Sequence, residues 1–304
     1  MKKRIVILGS TNVDLVSVME DIPTSGETII GSEFALHMGG KGANQALMAA
    51  RAGAKVSFIS GVGDDDFGKS ALKNLSENGV DISAVTNFPG STGVASIWVD
   101  QRGENRIVLN PGANQKLDTA TVLKELGNLS DIGYLIAQLE IPLDVVIAAF
   151  EAAKSIGAVT ILNPAPFQAL PKRLLDATDW LIVNEIEFSG LHPKNSFPIS
   201  DKEIREIEMQ NLVITLGAEG AILVTERIKR VPAPATKAID TTGAGDCLVG
   251  SFAAALSLGL DIEVALRFGI TCASESVSSL GAQSSYPSPE RAREILRSLA
   301  PDSL

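Results

Sequence analysis

A carboxylate beside a glycine turn that opens an apolar helix is the feature of this chain most suited to chemistry. It lies in Ala238-Ile239-Asp240-Thr241-Thr242-Gly243-Ala244-Gly245-Asp246, which runs straight into an apolar helical pattern over 247–258. The first N–H groups of a helix have no intrahelical acceptor, and the helix dipole adds positive potential there. Such an end receives anions, and Asp246 in its first turn stands beside whatever is bound. An anion site with an adjacent carboxylate suits phosphoryl transfer to a hydroxyl. An ordinary helix cap uses the same residue types, so the motif alone leaves that reading open.

A second glycine loop, Gly39-Gly40-Lys41-Gly42-Ala43-Asn44-Gln45-Ala46, opens another helical pattern and presents a cation and an amide from its first turn. Its spacing is not that of a Walker A loop, and no Ser or Thr follows the lysine. Taken alone it is either a site for a polar ligand or a capped helix with a solvated lysine. His37 and His192 are the only histidines, one before this glycine loop and one before a proline, and both are expected to be structural. Proton chemistry then falls to carboxylates. No Cys/His zinc pattern is present.

The whole chain sets limits on partners. It has 304 residues and a net charge of −10, which argues against nucleic acid or an anionic membrane as partner. A phosphate-bearing ligand must be held by local dipoles, a few cations and metal. Cys247 and Cys272 lie in apolar helical segments and form no disulfide framework, so a reducing compartment, the cytoplasm, is expected. The apolar run 5–8 is too short for a signal peptide and predicts a buried strand. The apolar stretch 249–260 is too short to span a bilayer.

These candidate groups need a scaffold. Strands are predicted at 4–8, 55–60, 134–138, 159–162, 180–183, 212–215 and 221–224, alternating with helices at 42–51, 69–77, 143–155 and 247–258. That alternation predicts one main α/β domain with a parallel sheet covered on both faces. Two regions break it: 13–19 with 27–36, and 92–99 with 105–109, alternate as strands with no helix between them. They predict a small separate antiparallel sheet, either a lid over the site or an edge meander.

With Gly9-Ser10-Thr11-Asn12-Val13-Asp14 added to the two glycine loops, the chain resembles the ribokinase family of carbohydrate kinases. The resemblance runs from about residue 4 to residue 290. Gly61-Val62-Gly63-Asp64-Asp65, Ser91-Thr92-Gly93-Val94-Ala95, Gly112-Ala113-Asn114, Gln138-Leu139-Glu140, Asn163-Pro164-Ala165-Pro166 and Asn184-Glu185-Ile186-Glu187 match in the same order. It implies a single three-layer α/β/α Rossmann-like domain over 1–304, with a discontinuous β lid from about 13–36 and 92–109. It also implies transfer of the γ-phosphate of ATP to the 5-hydroxyl of D-ribose. The alternatives are a kinase for 2-deoxyribose, fructose or a nucleoside, or a non-catalytic sugar-binding relative; the loop 39–46 with Glu140 favours ribose. A dinucleotide-binding oxidoreductase is disfavoured, because no Gly-x-Gly-x-x-Gly follows the first strand.

By the same resemblance, Asp246 is the general base and also touches the sugar, and Gly243, Ala244 and Gly245 form the anion hole. Asn12, Asp14, Gly40, Lys41, Asn44 and Glu140 bind the sugar. Asn184 and Glu187 attend Mg²⁺ and its waters, and Thr215, Gly217, Gly220 and Gly245 hold the nucleotide. Asp240, Thr242, Ser276, Ser279, Gly281 and Ser285 surround a K⁺ ion. Ile270 stands beside adenine where relatives often carry a polar residue. The lid implies a homodimer.

Overall fold

The protein is described by a computed structural model over residues 3–192 and 198–301. The strands are β1 (Arg4–Leu8), β2 (Asn12–Val18), β3 (Glu33–Gly39), β4 (Val56–Gly63), β5 (Val85–Phe88), β6 (Gly93–Val99), β7 (Asn105–Asn110), β8 (Ile132–Ala137), β9 (Val159–Leu162), β10 (Trp180–Asn184), β11 (Leu212–Thr215), β12 (Ala221–Val224) and β13 (Ile228–Val231). The helices are α1 (Lys41–Arg51), α2 (Asp66–Glu77), α3 (Thr119–Asn128), α4 (Leu143–Ser155), α5 (Lys172–Asp176), α6 (Glu185–Leu191), α7 (Asp201–Arg205), α8 (Ala244–Ser257), α9 (Ile262–Ser276) and α10 (Pro289–Leu299).

Nine strands form the main sheet in the order β13-β12-β11-β10-β9-β8-β1-β4-β5. Alternate residues of β1 serve opposite faces. Ile5 and Ile7 join the core under α1, α8, α9 and α10, whereas Val6 and Leu8 join the core under α3 and α4. Burial on both faces explains why this strand is a continuous apolar run instead of an alternating one. The expected three layers are present. The sheet is parallel from β5 to β11, and β12 and β13 close one edge antiparallel.

Between β1 and β8 the strand order reverses direction. Connections leaving β1 run toward β4, and those leaving β8 run toward β9. Ligands of open α/β sheets bind in the crevice beyond the strand C-termini at such a switch point. The segments just past β1, β8 and β9 carry Ser10 and Asn12, Gln138 and Glu140, and Asn163, and β10 ends on Asn184.

The second sheet has the order β3-β2-β6-β7. It corrects the expected antiparallel arrangement, because β2 and β6 pair parallel from Asn12↔Gly93 to Val18↔Val99. Between β3 and β6 the chain passes through α1, β4, α2 and β5, and a return by that long crossover permits the parallel direction. Pairing on β3 starts at Glu33, so 27–32 falls outside the strand expected at 27–36. It also runs on to Gly39 opposite Asn12, which carries the small sheet directly into the glycine loop at the start of α1.

Candidate active site

Helix α1 begins at the crevice with Gly40 as its N-cap and no side-chain cap from that residue. Its free N–H groups are instead satisfied from other segments. Lys41 N–H donates to Glu140 Oε2 (3.1 Å), Gly42 N–H to Ser10 Oγ (3.4 Å) and Ala43 N–H to Ser10 O (2.9 Å). The same Glu140 oxygen accepts from Ser10 Oγ and from Asn12 Nδ2 (3.4 Å). A carboxylate at a helix N-terminus is favoured by the dipole, so Glu140 caps α1 from 99 residues away in the sequence. This approach is possible because Gly9 and Gly42 lack side chains: a Cβ on Gly9 would lie 2.7 Å from Gly42 Cα.

Helix α8 starts at the same place. Gly243 is its N-cap in the left-handed region (φ 74°), and no side chain caps the helix. Ala244 N–H turns back to Thr241 O (3.2 Å), whereas Gly245 is exposed. Of the three residues expected to cradle an anion, Gly245 therefore presents the most open backbone. Tyr286 Oη donates to Gly243 O (2.7 Å) and fixes the turn.

Asp246 lies in the first turn of α8 and is 6% exposed. Its Oδ2 accepts from Asn44 Nδ2 and its Oδ1 from Gln45 Nε2, both at 2.9 Å. Sequence reasoning placed Asn44 on a ligand and gave Gln45 no role; in the structure both grip the carboxylate. Lys41, Asn184, Glu187, Thr215, Gly243, Gly245 and Asp246 line a cavity of about 220 Å³. The Lys41 ammonium is held above its ordinary range, chiefly by Asp246 and further by Glu140 and Glu187, against the opposing effect of burial. It therefore stays charged, a lone cation among carboxylates at the place where an anion would enter.

Asp14 on β2 is half-buried and has no hydrogen bond or ion pair to another described residue, although Glu140 and Asp246 are near. Gly39, two residues along β3 from its partner His37, leaves room for the side chain: a Cβ there would come 2.5 Å from Asp14 Oδ2. Burial first, and then the charges of Glu140 and Asp246, push its pKa up to about 6. A half-buried carboxylate without protein donors is disfavoured in the empty protein and suited to a ligand that brings them.

Asn184 and Glu187 form a capping box at the start of α6: Glu187 N–H donates to Asn184 Oδ1 (2.8 Å), and Asn184 N–H to Glu187 Oε2 (2.9 Å). Glu187 is 8% exposed and faces the cavity. Burial raises its carboxyl above the usual range, partly opposed by the Asn184 N–H and by Lys41.

A second, mostly apolar cavity of about 510 Å³ adjoins the first, sharing Thr215, Thr241 and Gly245. Gly217 and Gly220 line it together with Pro234, Leu248, Ile270 and Val277. One cleft thus runs from a polar end at Asp246 to an apolar end at Ile270.

Beside the cleft, Asp240 Oδ1 accepts from Thr242 N–H (2.9 Å) and Thr242 Oγ1 (2.6 Å), and its Oδ2 from Gly281 N–H (2.8 Å). Burial raises this carboxyl, but these hydrogen bonds outweigh burial and hold it below the usual range. Asp240 N–H reaches Val277 O, between Ser276 and Ser279 (3.2 Å). The segments holding five of the six expected cation ligands therefore meet. Ser285 is one turn on, and its Oγ donates to Ala282 O (2.9 Å). Among the described residues no cluster of three or more His, Cys, Asp or Glu surrounds a metal position. A cation there would rest on hydroxyl and carbonyl oxygens plus one carboxylate.

His192 is structural, as expected: it is 3% exposed, stacks on Phe188 and meets Glu206 Oε2 at 3.1 Å. His37 lies on β3 opposite Asp14, with its ring beside Gly281.

Comparison with known proteins agrees with this geometry. The model of the pfkB family carbohydrate kinase matches residues 2–289. The ribokinase of Haemophilus influenzae is 36% identical over 306 residues, covering 97% of this chain and 99% of that protein. A deoxyribokinase of Salmonella typhi is 34% identical over 300 residues, covering 96% and 98%. The structure of Arabidopsis thaliana ribokinase complexed with ribose and ATP superposes with a TM-score of 0.89 at 30% identity, covering 98% and 99%.

The unpaired Asp14 has a measurable consequence. Its folded pKa, about 6, lies above the ordinary aspartate value of 3.8. The native state therefore keeps a proton that the unfolded chain releases, and stability from this group is lost as pH rises from about 4 through 6. Asp14→Asn should stabilise the empty protein by about 1–3 kcal/mol at pH 7, with the advantage vanishing toward pH 4. Thermal unfolding of both proteins from pH 4 to 8 checks this; a wild type at least as stable as the variant at pH 7 would contradict it.

Proposed function

The chain belongs to the pfkB family of carbohydrate kinases, and we propose that it transfers the γ-phosphate of ATP to the 5-hydroxyl of D-ribose, giving ribose 5-phosphate and ADP. The observation that carries this reading is the meeting of the α1 and α8 N-termini around the buried Asp246 carboxylate. The full-length similarity to ribokinases, one of them bound to ribose and ATP, supports the substrates.

In this reading the sugar's hydroxyls donate to Asp14 and meet Asn12, Asn44 and the Gly40–Lys41 backbone beneath the small sheet. Asp246 accepts the proton of the 5-hydroxyl as its oxygen bonds to the γ-phosphorus. The bond from that phosphorus to the β,γ-bridging oxygen breaks, and ADP leaves with the electron pair. Charge developing on the phosphoryl oxygens is met by Gly245 N–H, the α8 dipole and Lys41. Adenine would rest in the apolar end of the cleft, against Ile270. The role of Glu140 is indirect: it fixes the start of α1, and with it Lys41 and Asn44.

Asn184 and Glu187 suit a cation that keeps most of its waters, and we assign them to Mg²⁺, which would neutralise phosphate charge. Asp240, Thr242, Gly281 and the 276–279 carbonyls suit K⁺, which would steady the turn leading to Gly243. The absence of disulfides, with Cys247 and Cys272 free and buried, supports a cytoplasmic setting.

A coupled assay for ADP release tests the substrate. Ribose should exceed 2-deoxyribose by at least about 10-fold in kcat/KM, because the missing hydroxyl leaves Asp14 short of a donor in a closed site. Fructose and nucleosides should be weaker still, and K⁺ should support more activity than Na⁺ or Li⁺. A preference for 2-deoxyribose or a nucleoside would overturn the ribose assignment, and equal rates in the three salts the cation assignment.

We also infer a homodimer formed through the small sheet. Phe34, Leu36, Trp98 and Val108, on one face of it by register, are 68%, 43%, 38% and 58% exposed, an apolar patch of the kind that marks an interface. Light scattering should give twice the 31.9 kDa chain mass; a monomer at micromolar concentration would refute it.

A further inference from the structure

The Gln45 amide gripping Asp246 is itself oriented from behind, by the fully buried Gln138 and by Asn163 at the cavity wall. Gln138, just past β8, is fully buried and donates through Nε2 to Gln45 Oε1 at 2.6 Å. With its oxygen engaged there, Gln45 must direct Nε2 the other way, to Asp246 Oδ1 (2.9 Å) and Asn163 Oδ1 (3.2 Å). Asn163 is fixed in turn, since its Nδ2 donates to Ile182 O at 3.0 Å. A reversed Gln45 amide would set oxygen against the Asp246 carboxylate and nitrogen against the Gln138 nitrogen, so the network admits one orientation.

Gln138 also bears a cost. Its Oε1 is buried with no hydrogen-bond partner among the described residues, pressed against Gly9, where a Cβ would lie 2.1 Å away. An unpaired buried acceptor destabilises a fold. A leucine would fill similar volume without that defect but would leave Gln45 Oε1 without a donor. What the glutamine supplies is that directional donor.

We propose that Gln138 and Gln45 are positioning residues that fix the plane of the Asp246 carboxylate toward the substrate hydroxyl. The proposal rests on the reading of Asp246 as the proton acceptor. The chain Gln138 to Gln45 to Asp246 links the C-terminal end of β8, the second turn of α1 and the first turn of α8 through side chains alone. Without it the carboxylate keeps only Asn44 as a fixed donor and turns about its Cβ–Cγ bond. Small displacements of a reacting group are costly: about 1 Å removes on the order of 100-fold in rate.

The test uses Gln138→Leu and Gln45→Met in the full chain, each alone and in the Asp246→Asn background, with sugar and ATP kinetics and thermal unfolding. Each single variant should lose roughly 10–100-fold in kcat, with both KM values within about 3-fold, since positioning acts on the reacting geometry and not on ground-state binding. Gln138→Leu should melt close to wild type, because it removes the unpaired Gln138 oxygen but leaves Gln45 Oε1 without its donor; a structural role predicts a clear drop. In the Asp246→Asn background Gln138→Leu should cause no further loss, as groups acting through one another are not additive. A kcat for Gln138→Leu within about 2-fold of wild type, or the same fractional loss in both backgrounds, would overturn the proposal. If Gln138→Leu fails to fold, Gln45→Met carries the same comparison. Near-normal turnover by Asp246→Asn itself would overturn the base assignment, an outcome separate from unaltered Gln variants beside an inactive Asp246→Asn.

Discussion

Two helix N-termini converge on one buried carboxylate, and the rest of the molecule is arranged to make that possible. Helices α1 and α8 each direct unsatisfied N–H groups and a positive dipole end at the crevice. The α1 end is closed by Glu140 and Ser10, while the α8 end stays open at Gly245. The two helices reach this distance because Gly250 of α8 sits under the backbone of Gln45, where a Cβ would lie 2.6 Å from Gln45 O. One dipole thus supports the scaffold, and the other is left available to a ligand.

The charge pattern follows from the same convergence. Glu140, Glu187 and Asp246 surround Lys41, and Asp14 stands near Glu140 and Asp246, an excess of negative charge in one crevice. Hydrogen bonds from neighbours hold Glu140 and Asp246, and the capping box holds one oxygen of Glu187. Asp14 alone lacks donors, and it stands on the small sheet instead of the main one. Ligand hydroxyls arriving there would supply what the empty protein lacks and tie the sheet down over the cleft. Closure and recognition would then arise from one carboxylate.

Much of this was legible in the sequence. Continuous apolar strands alternating with helices gave the three-layer architecture, because a strand buried on both faces has no polar positions to show. The glycine loops located both helix starts, and Asp246, Lys41, Asn184, Thr215 and Gly245 do share one cavity wall. What escaped depends on long-range contact. Glu140 has the same residue type whether it binds a ligand or caps a helix 99 residues away. Gln45, Gln138 and Asn163 are uncharged amides whose significance lies in mutual orientation, which no local pattern encodes. The parallel pairing of β2 with β6 is set by the route of the chain through the body, whereas their alternation alone suggested a meander.

The central claim is that the acceptor hydroxyl of ribose meets Asp246 at the open end of α8. A structure of this protein with ribose and a non-hydrolysable ATP analogue tests it most directly. The 5-oxygen of the sugar should lie about 2.6–3.2 Å from an Asp246 carboxylate oxygen, with the terminal phosphate facing Gly245 N–H and the ring hydroxyls on Asp14. A sugar whose 5-oxygen points away from Asp246, or one bound outside this crevice, would contradict the account.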